Sequence, residues 1–194
     1  DDAFAVDLAL EAGKPPVLQG ERGLSQKGPE PGNASYYYSM TRLPARGTVT
    51  VAGEKIAVTG EAWLDREWST SALGPDLAGW DWFALQLDDQ REIMLFIVRT
   101  EGEVTFVGGS YTDADCLTTE IGPDDFEVTP VGSWTRADQT CTYPSGWNLR
   151  VFDVDVTVTP VLADQELDTT FIDYWEGAAL VTGEATGRAY VELT

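Results

Sequence analysis

Hydrophobic residues recur at every second position along almost the whole chain, and a period of two is the signature of β-strands with one face buried. The alternating runs are Phe4 to Leu10, Ser35 to Arg42, Gly47 to Val51, Lys55 to Trp68, Gly79 to Leu87, Glu92 to Arg99, Val104 to Tyr111, Trp147 to Phe152, Val154 to Val161, Phe171 to Val181 and Arg188 to Leu193. They are rich in Val, Thr, Tyr and Trp and are separated by turn clusters. No segment of eleven or more residues sustains an apolar helical period with a capped start. Helices are therefore expected only as one or two short turns, near Pro123 to Phe126 or in the Ser69 to Leu77 loop. About a dozen antiparallel strands in 194 residues predict an all-β chain folded as an antiparallel barrel or sandwich.

One stretch interrupts the pattern. Residues 12–33 hold four prolines and five glycines between the first strand and Tyr36-Tyr37-Tyr38, and read as a connector. The expected organisation is a strand at 1–11 that closes against, or belongs to, a first domain, then the connector, then a barrel over 34–194.

Charge narrows the partners. With 33 acidic residues against 12 lysines and arginines the net charge is −21, which repels nucleic acid and anionic membrane surfaces. The acidic residues are spread through turns and strand ends, as a solubilising surface requires. No run of 18 apolar residues is present, so no membrane-spanning helix is expected. No leader segment opens the chain, as is also true of a mature secreted protein.

Histidine is absent, which excludes Ser-His-Asp, Cys-His and histidine-metal chemistry. Neither a metal nor a cofactor is expected. Cys116 and Cys141 stand 25 positions apart in turn-rich stretches. As a pair they would stabilise the fold by roughly 3 kcal/mol and indicate an oxidising compartment; two free thiols fit the sequence equally well.

Three constellations carry possible chemistry. In Trp63-Leu64-Asp65-Arg66-Glu67-Trp68, alternation places Leu64, Arg66 and Trp68 on one face and Trp63, Asp65 and Glu67 on the other. A charged set must sit at a rim or point inward, where low dielectric raises a carboxyl pKa or Arg66 anchors an anion or carbonyl. The Leu64/Arg66/Trp68 face is expected to turn into the barrel. In the strand from Gly79 to Leu87, Trp80 and Trp82 share a face opposite Asp81. Trp175 and Glu176 again set a carboxylate beside an indole. A protonated carboxyl can protonate an alkene, and neighbouring aromatic faces can stabilise the resulting cation by about 2 kcal/mol or more when desolvated.

The ordered blocks PPVLQGERGLSQKGPEPGNASYYYSMTRL, VTGEAWLDREWSTSAL, GWDWFALQLDD, EIMLFIVR, TYPSGWNL, ADQEL, YWEGAALVTG and GRAYVELT resemble the second half of the CrtC/AttH-like family of carotenoid hydratases and relatives named as secreted hydrolases. The resemblance covers nearly the whole chain. It implies two lipocalin-like domains in tandem, of which this chain would hold the last strand of the first, the connector and the complete second, with association between the two. It also implies a periplasmic or extracellular location and cofactor-free addition of water to an isoprenoid double bond through a carbocation; related two-lipocalin proteins include polyene cyclases. The family's Asp-His-x-Trp motif falls on Asp65, Arg66, Glu67 and Trp68, with Arg66 in the place of the histidine. Its Tyr-x-Asp motif falls nearest to Phe96-Ile97-Val98, which carries neither group. On these grounds Asp65, Arg66, Glu67 and Trp68 are the candidate catalytic residues, and Tyr36, Tyr38, Trp80, Asp81, Trp82, Trp175 and Glu176 the candidates for binding an apolar substrate. Three functions fit the pattern: a hydratase or cyclase acting on a polyene, a carrier of a hydrophobic small molecule, and a packed barrel that needs its partner domain.

Overall fold

Alternating side chains pair into sheets throughout the computed structural model, which describes residues 4–69, 77–100, 103–168 and 173–194. The strands in chain order are β1 (Phe4–Leu10), β2 (Val17–Leu18), β3 (Leu24–Gln26), β4 (Ala34–Val51), β5 (Glu54–Trp68), β6 (Leu77–Leu87), β7 (Glu92–Thr100), β8 (Glu103–Thr112) and β9 (Thr118–Ile121). They continue with β10 (Phe126–Pro130), β11 (Ser133–Thr135), β12 (Thr142–Pro144), β13 (Trp147–Val151), β14 (Val154–Pro160), β15 (Glu166–Asp168), β16 (Asp173–Gly183) and β17 (Gly187–Leu193). Among the described residues there is no helix, and so none long and apolar enough to cross a membrane. The expected helical turn at Pro123 to Phe126 is a tight turn leading into β10, and most of the Ser69 to Leu77 loop, like Phe171 and Ile172, lies outside the described residues.

The larger sheet has ten strands. It runs β10-β13-β14-β16-β17-β6-β7-β8-β9, with β15 beside β16, and curls into a nearly closed lipocalin-like antiparallel barrel. Its inward positions form one continuous core that includes Phe83, Leu85, Leu95, Trp147, Leu149, Val158, Trp175 and Val191. The Trp147 ring lies 5.5 Å from Phe83 and 5.8 Å from Trp175. Each buried indole removes on the order of 200 Å² from water, about 5 kcal/mol at 25 cal/mol per Å². Opening this interior for a ligand would forfeit that energy. The barrel is thus packed where an aromatic-lined hollow was expected.

The smaller sheet is built on β4, which pairs with β1, β2, β3 and β5. The connector is therefore not a loose tether: it carries β2 and β3, and its Lys14, Gln19 and Lys27 are buried. Strands β4 and β5, expected as the start of the barrel domain, hydrogen-bond to this sheet instead of to the barrel strands. Their hairpin turns on Ala52 and Gly53, both at positive φ (50° and 84°), the combination that matches the twist of paired strands in a two-residue turn.

A bulge fixes the small sheet to the barrel. Between Met40 and Leu43 strand β4 spends one residue more than β5 does between Leu64 and Ala62, so Thr41 and Arg42 turn towards the same side. Arg42 Nε donates to Glu92 Oε1 on β7 at 2.6 Å, and Lys14 Nζ donates to Glu92 Oε2 at 2.8 Å. Arg42 also pairs with Glu61 and donates to the Leu87 carbonyl at 2.9 Å. Beside this ionic seam, Tyr37 of β4 packs on Met94, Phe96 and Val98, which point outward from the barrel. The candidate functional residues lie along that junction.

Candidate functional site

Register decides which side chains meet between the sheets. Tyr37 lies opposite Glu67 and Ser39 opposite Asp65 in the β4–β5 ladder, so all four share the face turned to the barrel. The barrel contributes its outward row: Trp80 and Trp82 of β6, Phe96 and Val98 of β7, and Glu192 of β17, which lies opposite Trp82. With Lys27 they line a cleft of about 320 Å³.

Asp65 is the centre of the hydrogen bonding. Its Oδ2 accepts from the Tyr37 hydroxyl at 2.8 Å, and its Oδ1 accepts from Ser39 Oγ and from Trp63 Nε1 at 2.9 Å. The residue is open to solvent on the side of the two clefts it lines, while its carboxyl is largely enclosed by these donors. Burial raises its pKa above the ordinary aspartate value; the three donors pull the other way, and the nearby Glu67 adds to the rise. Tyr37 in turn accepts from Trp82 Nε1 at 3.2 Å. Burial, reinforced by the negative charge of Asp65, drives the phenol well above its usual range and keeps it a donor.

The other charged groups are held as firmly. Glu67 accepts from Ser35 and lies 3.3 Å from Lys27 Nζ. Lys27 sits over the Phe96 and Tyr37 rings, at 4.2 and 4.7 Å from their centroids. Burial lowers the lysine pKa against the raising influence of Glu67 and Asp65. Glu192 accepts from Trp80 Nε1 at 2.9 Å, and burial raises its pKa despite that bond, with Glu176, Asp65 and Glu67 adding repulsion. Trp63 and Trp82 meet edge to face at 6.3 Å. Beyond them a second cleft of about 610 Å³ opens along β16 and β17, and Asp65 and Trp82 line both.

Of the expected site residues, Asp65, Glu67, Trp80 and Trp82 come together here. The others do not. The face expected to turn inward, that of Leu64, Arg66 and Trp68, faces solvent, with Leu64 38% and Trp68 51% exposed. Tyr36 and Tyr38 are on that same outer face, where both rings pack on Trp68. The reason is that Tyr37, not its neighbours, fits against the barrel wall, and a strand can offer only one parity to it. Asp81 points to the barrel side of β6, pairs with Arg99, and has its pKa raised by burial against that pairing. Trp175 is wholly buried in the barrel core with Nε1 donating to the Ala163 carbonyl at 2.8 Å. Glu176 lies on the outer barrel face opposite Glu192. Because Arg66 is outside the cleft, Arg66→Ala is expected to leave ligand binding unchanged in a fluorescence titration and to shift stability by no more than about 0.5 kcal/mol.

Sequence reasoning missed Tyr37, Ser39, Trp63, Glu192 and Lys27 as functional residues. Alternation held a signal for the first four: Tyr37 and Ser39 have the parity opposite to Tyr36, Trp63 shares that of Asp65, and Glu192 lies between the inward Val191 and Leu193. Lys27, in the connector, gave none. Elsewhere Cys116 and Cys141 are free thiols. Cys141, Glu166 and Asp173 bring ligand atoms within 4.8 Å of one another, but Arg136 pairs with both carboxylates at 3.3 and 3.5 Å and supplies the positive charge itself.

A packed lipocalin-like barrel whose outer wall and an added sheet enclose an acidic, aromatic cleft is the class that fold and site define. The chain belongs to the AttH-like family, whose sequence profile matches residues 1–194. It is similar to the crystal structure of an AttH from Nitrosomonas europaea, with 39% identity and a TM-score of 0.93 over 99% of this chain and 61% of that one. It also shares its fold with kievitone hydratase from Nectria haematococca, at 24% identity and a TM-score of 0.81, over 100% of this chain and 62% of the other. The chain thus spans about three fifths of the length of these relatives. The family match runs along the whole chain and does not assign it to a C-terminal half. No curated protein matches it.

Proposed function

We propose that this chain is a cofactor-independent enzyme of the hydratase or cyclase type, acting on an apolar isoprenoid or polyene held between the small sheet and the barrel wall. The observation that carries this reading is Asp65: a carboxyl with a raised pKa, fixed by Tyr37, Ser39 and Trp63, in a cleft walled by Trp80 and Trp82. A raised pKa keeps more of the acid form available near neutrality. The Asp65 O–H bond breaks as the alkene π pair takes the proton and forms a C–H bond. The cation left on the neighbouring carbon lies among the indole faces of Trp80 and Trp82, which lower its energy. Water then forms the C–O bond and returns a proton to Asp65, restoring the acid; in a cyclase a second double bond of the substrate forms a C–C bond instead, and the ring cation so made loses a C–H proton to Asp65. The fold shared with a hydratase supports the reading.

A carrier function has one observation in its favour, since three donors on Asp65 also suit a fixed anionic anchor. Incubation with a terminal isoprenoid alkene in oxygen-labelled water separates the two. The enzyme is expected to give an alcohol carrying one labelled oxygen, or an isomeric ring without it; return of unchanged alkene alone would leave only the carrier.

We further propose that a second β domain covers the outer face of the small sheet. There Phe4, Val6, Leu8, Leu10, Val51 and Ile56 share one face and are all exposed, an apolar surface larger than isolated domains usually leave in water. The extra length of the solved relatives leaves room for such a domain.

A further inference from the structure

The larger cleft contains a charge that the chemistry above does not use. Of the chain's 12 lysines and arginines, eight make ion pairs: Lys14, Lys27, Arg42, Arg46, Arg91, Arg99, Arg136 and Arg150. The remaining four, Arg22, Lys55, Arg66 and Arg188, make none among the described residues. Arg188 alone of these lines either cleft. Arg188 is exposed, so it costs little to leave unpaired and its guanidinium is available to a ligand.

The groups around Arg188 are already engaged. Gln86, its partner across the β6–β17 ladder, gives its amide to the carbonyls of Thr41 and Ala62 at 2.7 and 3.3 Å. Glu61, in the same cleft, is paired with Arg42. The floor beside Arg188 is apolar, formed by Ala84, Ala178 and Leu180. Arg188 is four residues from Glu192 on one strand face, so the two stand about 13 Å apart at the usual strand rise. Asp65 and Trp82 line both clefts. The two adjoining clefts make a trough, with Arg188, Ala84, Ala178 and Leu180 on one side of the shared Asp65 and Trp82, and Trp80, Phe96 and Val98 on the other.

We propose that the trough takes an amphiphile with a carboxylate or similarly acidic group, which Arg188 binds through paired N–H donors, and that this contact orients the unsaturated hydrocarbon end towards Asp65. The inference deepens the function proposed above and rests on it for the reacting end. It names an oriented, anionic substrate class where the proposed function names only an apolar one.

The test uses cis-parinaric acid, a conjugated tetraene carboxylic acid that fluoresces in apolar sites, and its methyl ester. The acid is expected to bind the wild-type protein at least about tenfold more tightly than the ester, a difference of one Arg–carboxylate contact. Arg188→Gln should bring the acid down to the affinity of the ester without altering the ester, and Arg188→Lys should recover part of the loss. Because Arg188 is exposed, an unchanged urea midpoint is expected for both variants. Ala178→Trp, which fills the exposed floor, should abolish binding of both probes. Equal binding of acid and ester to the wild type, with both lost in Ala178→Trp, would overturn the role of Arg188 and leave the cleft reading intact. Binding of either probe that survives Ala178→Trp, or no binding of either to the wild type, would overturn both.

Discussion

Asp65→Asn is expected to lower turnover by a factor of about 10² to 10⁴, the range that a positioned proton donor contributes, without lowering stability. The amide keeps the shape of the carboxyl and can still accept from Ser39 and Trp63 on one atom. On the other side the Tyr37 hydroxyl oxygen, which also accepts from Trp82, can accept from the amide once no carboxylate holds its proton. What is lost is the transferable proton. Measured as kcat and KM on the same alkene, the change should fall on kcat; an undiminished kcat would remove Asp65 from the chemistry.

The raised pKa of Asp65 gives the stability part of this prediction its sign. Between the ordinary aspartate value and the raised native one, the folded protein binds more protons than the unfolded chain, so stability falls as pH rises through that window. Above the window the ionised carboxylate destabilises the native state, and asparagine removes that cost. The urea midpoint of Asp65→Asn at neutral pH should therefore equal or exceed that of the wild type, as expected where a site is kept at the expense of stability. Turnover by the wild type should decline as pH rises through the same native pKa, because the acid form is consumed, and the variant's residual rate should lack this limb.

How the site was concealed in the sequence follows from the same alternation that revealed the fold. Period two marks strands well, and an all-β antiparallel barrel follows from it with few assumptions. It also assigns Leu64, Arg66 and Trp68 to one face and Trp63, Asp65 and Glu67 to the other. It cannot say which face is covered. Here both faces carry aromatic and charged residues, because one lies against the barrel wall and the other is an exposed apolar surface with Tyr36, Leu64 and Trp68. The usual contrast between an apolar inside and a polar outside is therefore missing from β5. Trp175 shows the converse: aromatic content suggested a cavity lining, yet the large rings fill the barrel interior. Only long-range contact, Tyr37 against Phe96 and Trp63 against Trp82, distinguishes lining from packing, and local sequence does not encode it.

Glu92→Ala is expected to cost about 3 to 5 kcal/mol, the usual effect of removing one partner from a buried ionic network, and so a large part of a typical folding free energy of about 5 to 15 kcal/mol. Glu92 is 1% exposed and is the only carboxylate to which both Lys14 and Arg42 pair among the described residues. Without it Lys14 keeps the carbonyls of Gln90 and Asp113, and Arg42 keeps Glu61 and the Leu87 carbonyl, but one buried positive charge has no counter-charge. The comparison that isolates burial is Glu127→Ala, which breaks an exposed pair with Arg150 on neighbouring strands and should cost less than about 1 kcal/mol. Both are read as shifts of the urea midpoint at constant slope. Because Lys14 reaches Glu92 from the connector and Arg42 from β4, loss of the carboxylate also loosens the wall that holds Tyr37 and Asp65 over the barrel. Ligand affinity should therefore fall in Glu92→Ala under conditions where the protein is still folded, and remain unchanged in Glu127→Ala. Equal midpoints for the two variants would mean that the ionic seam does not hold the sheets together.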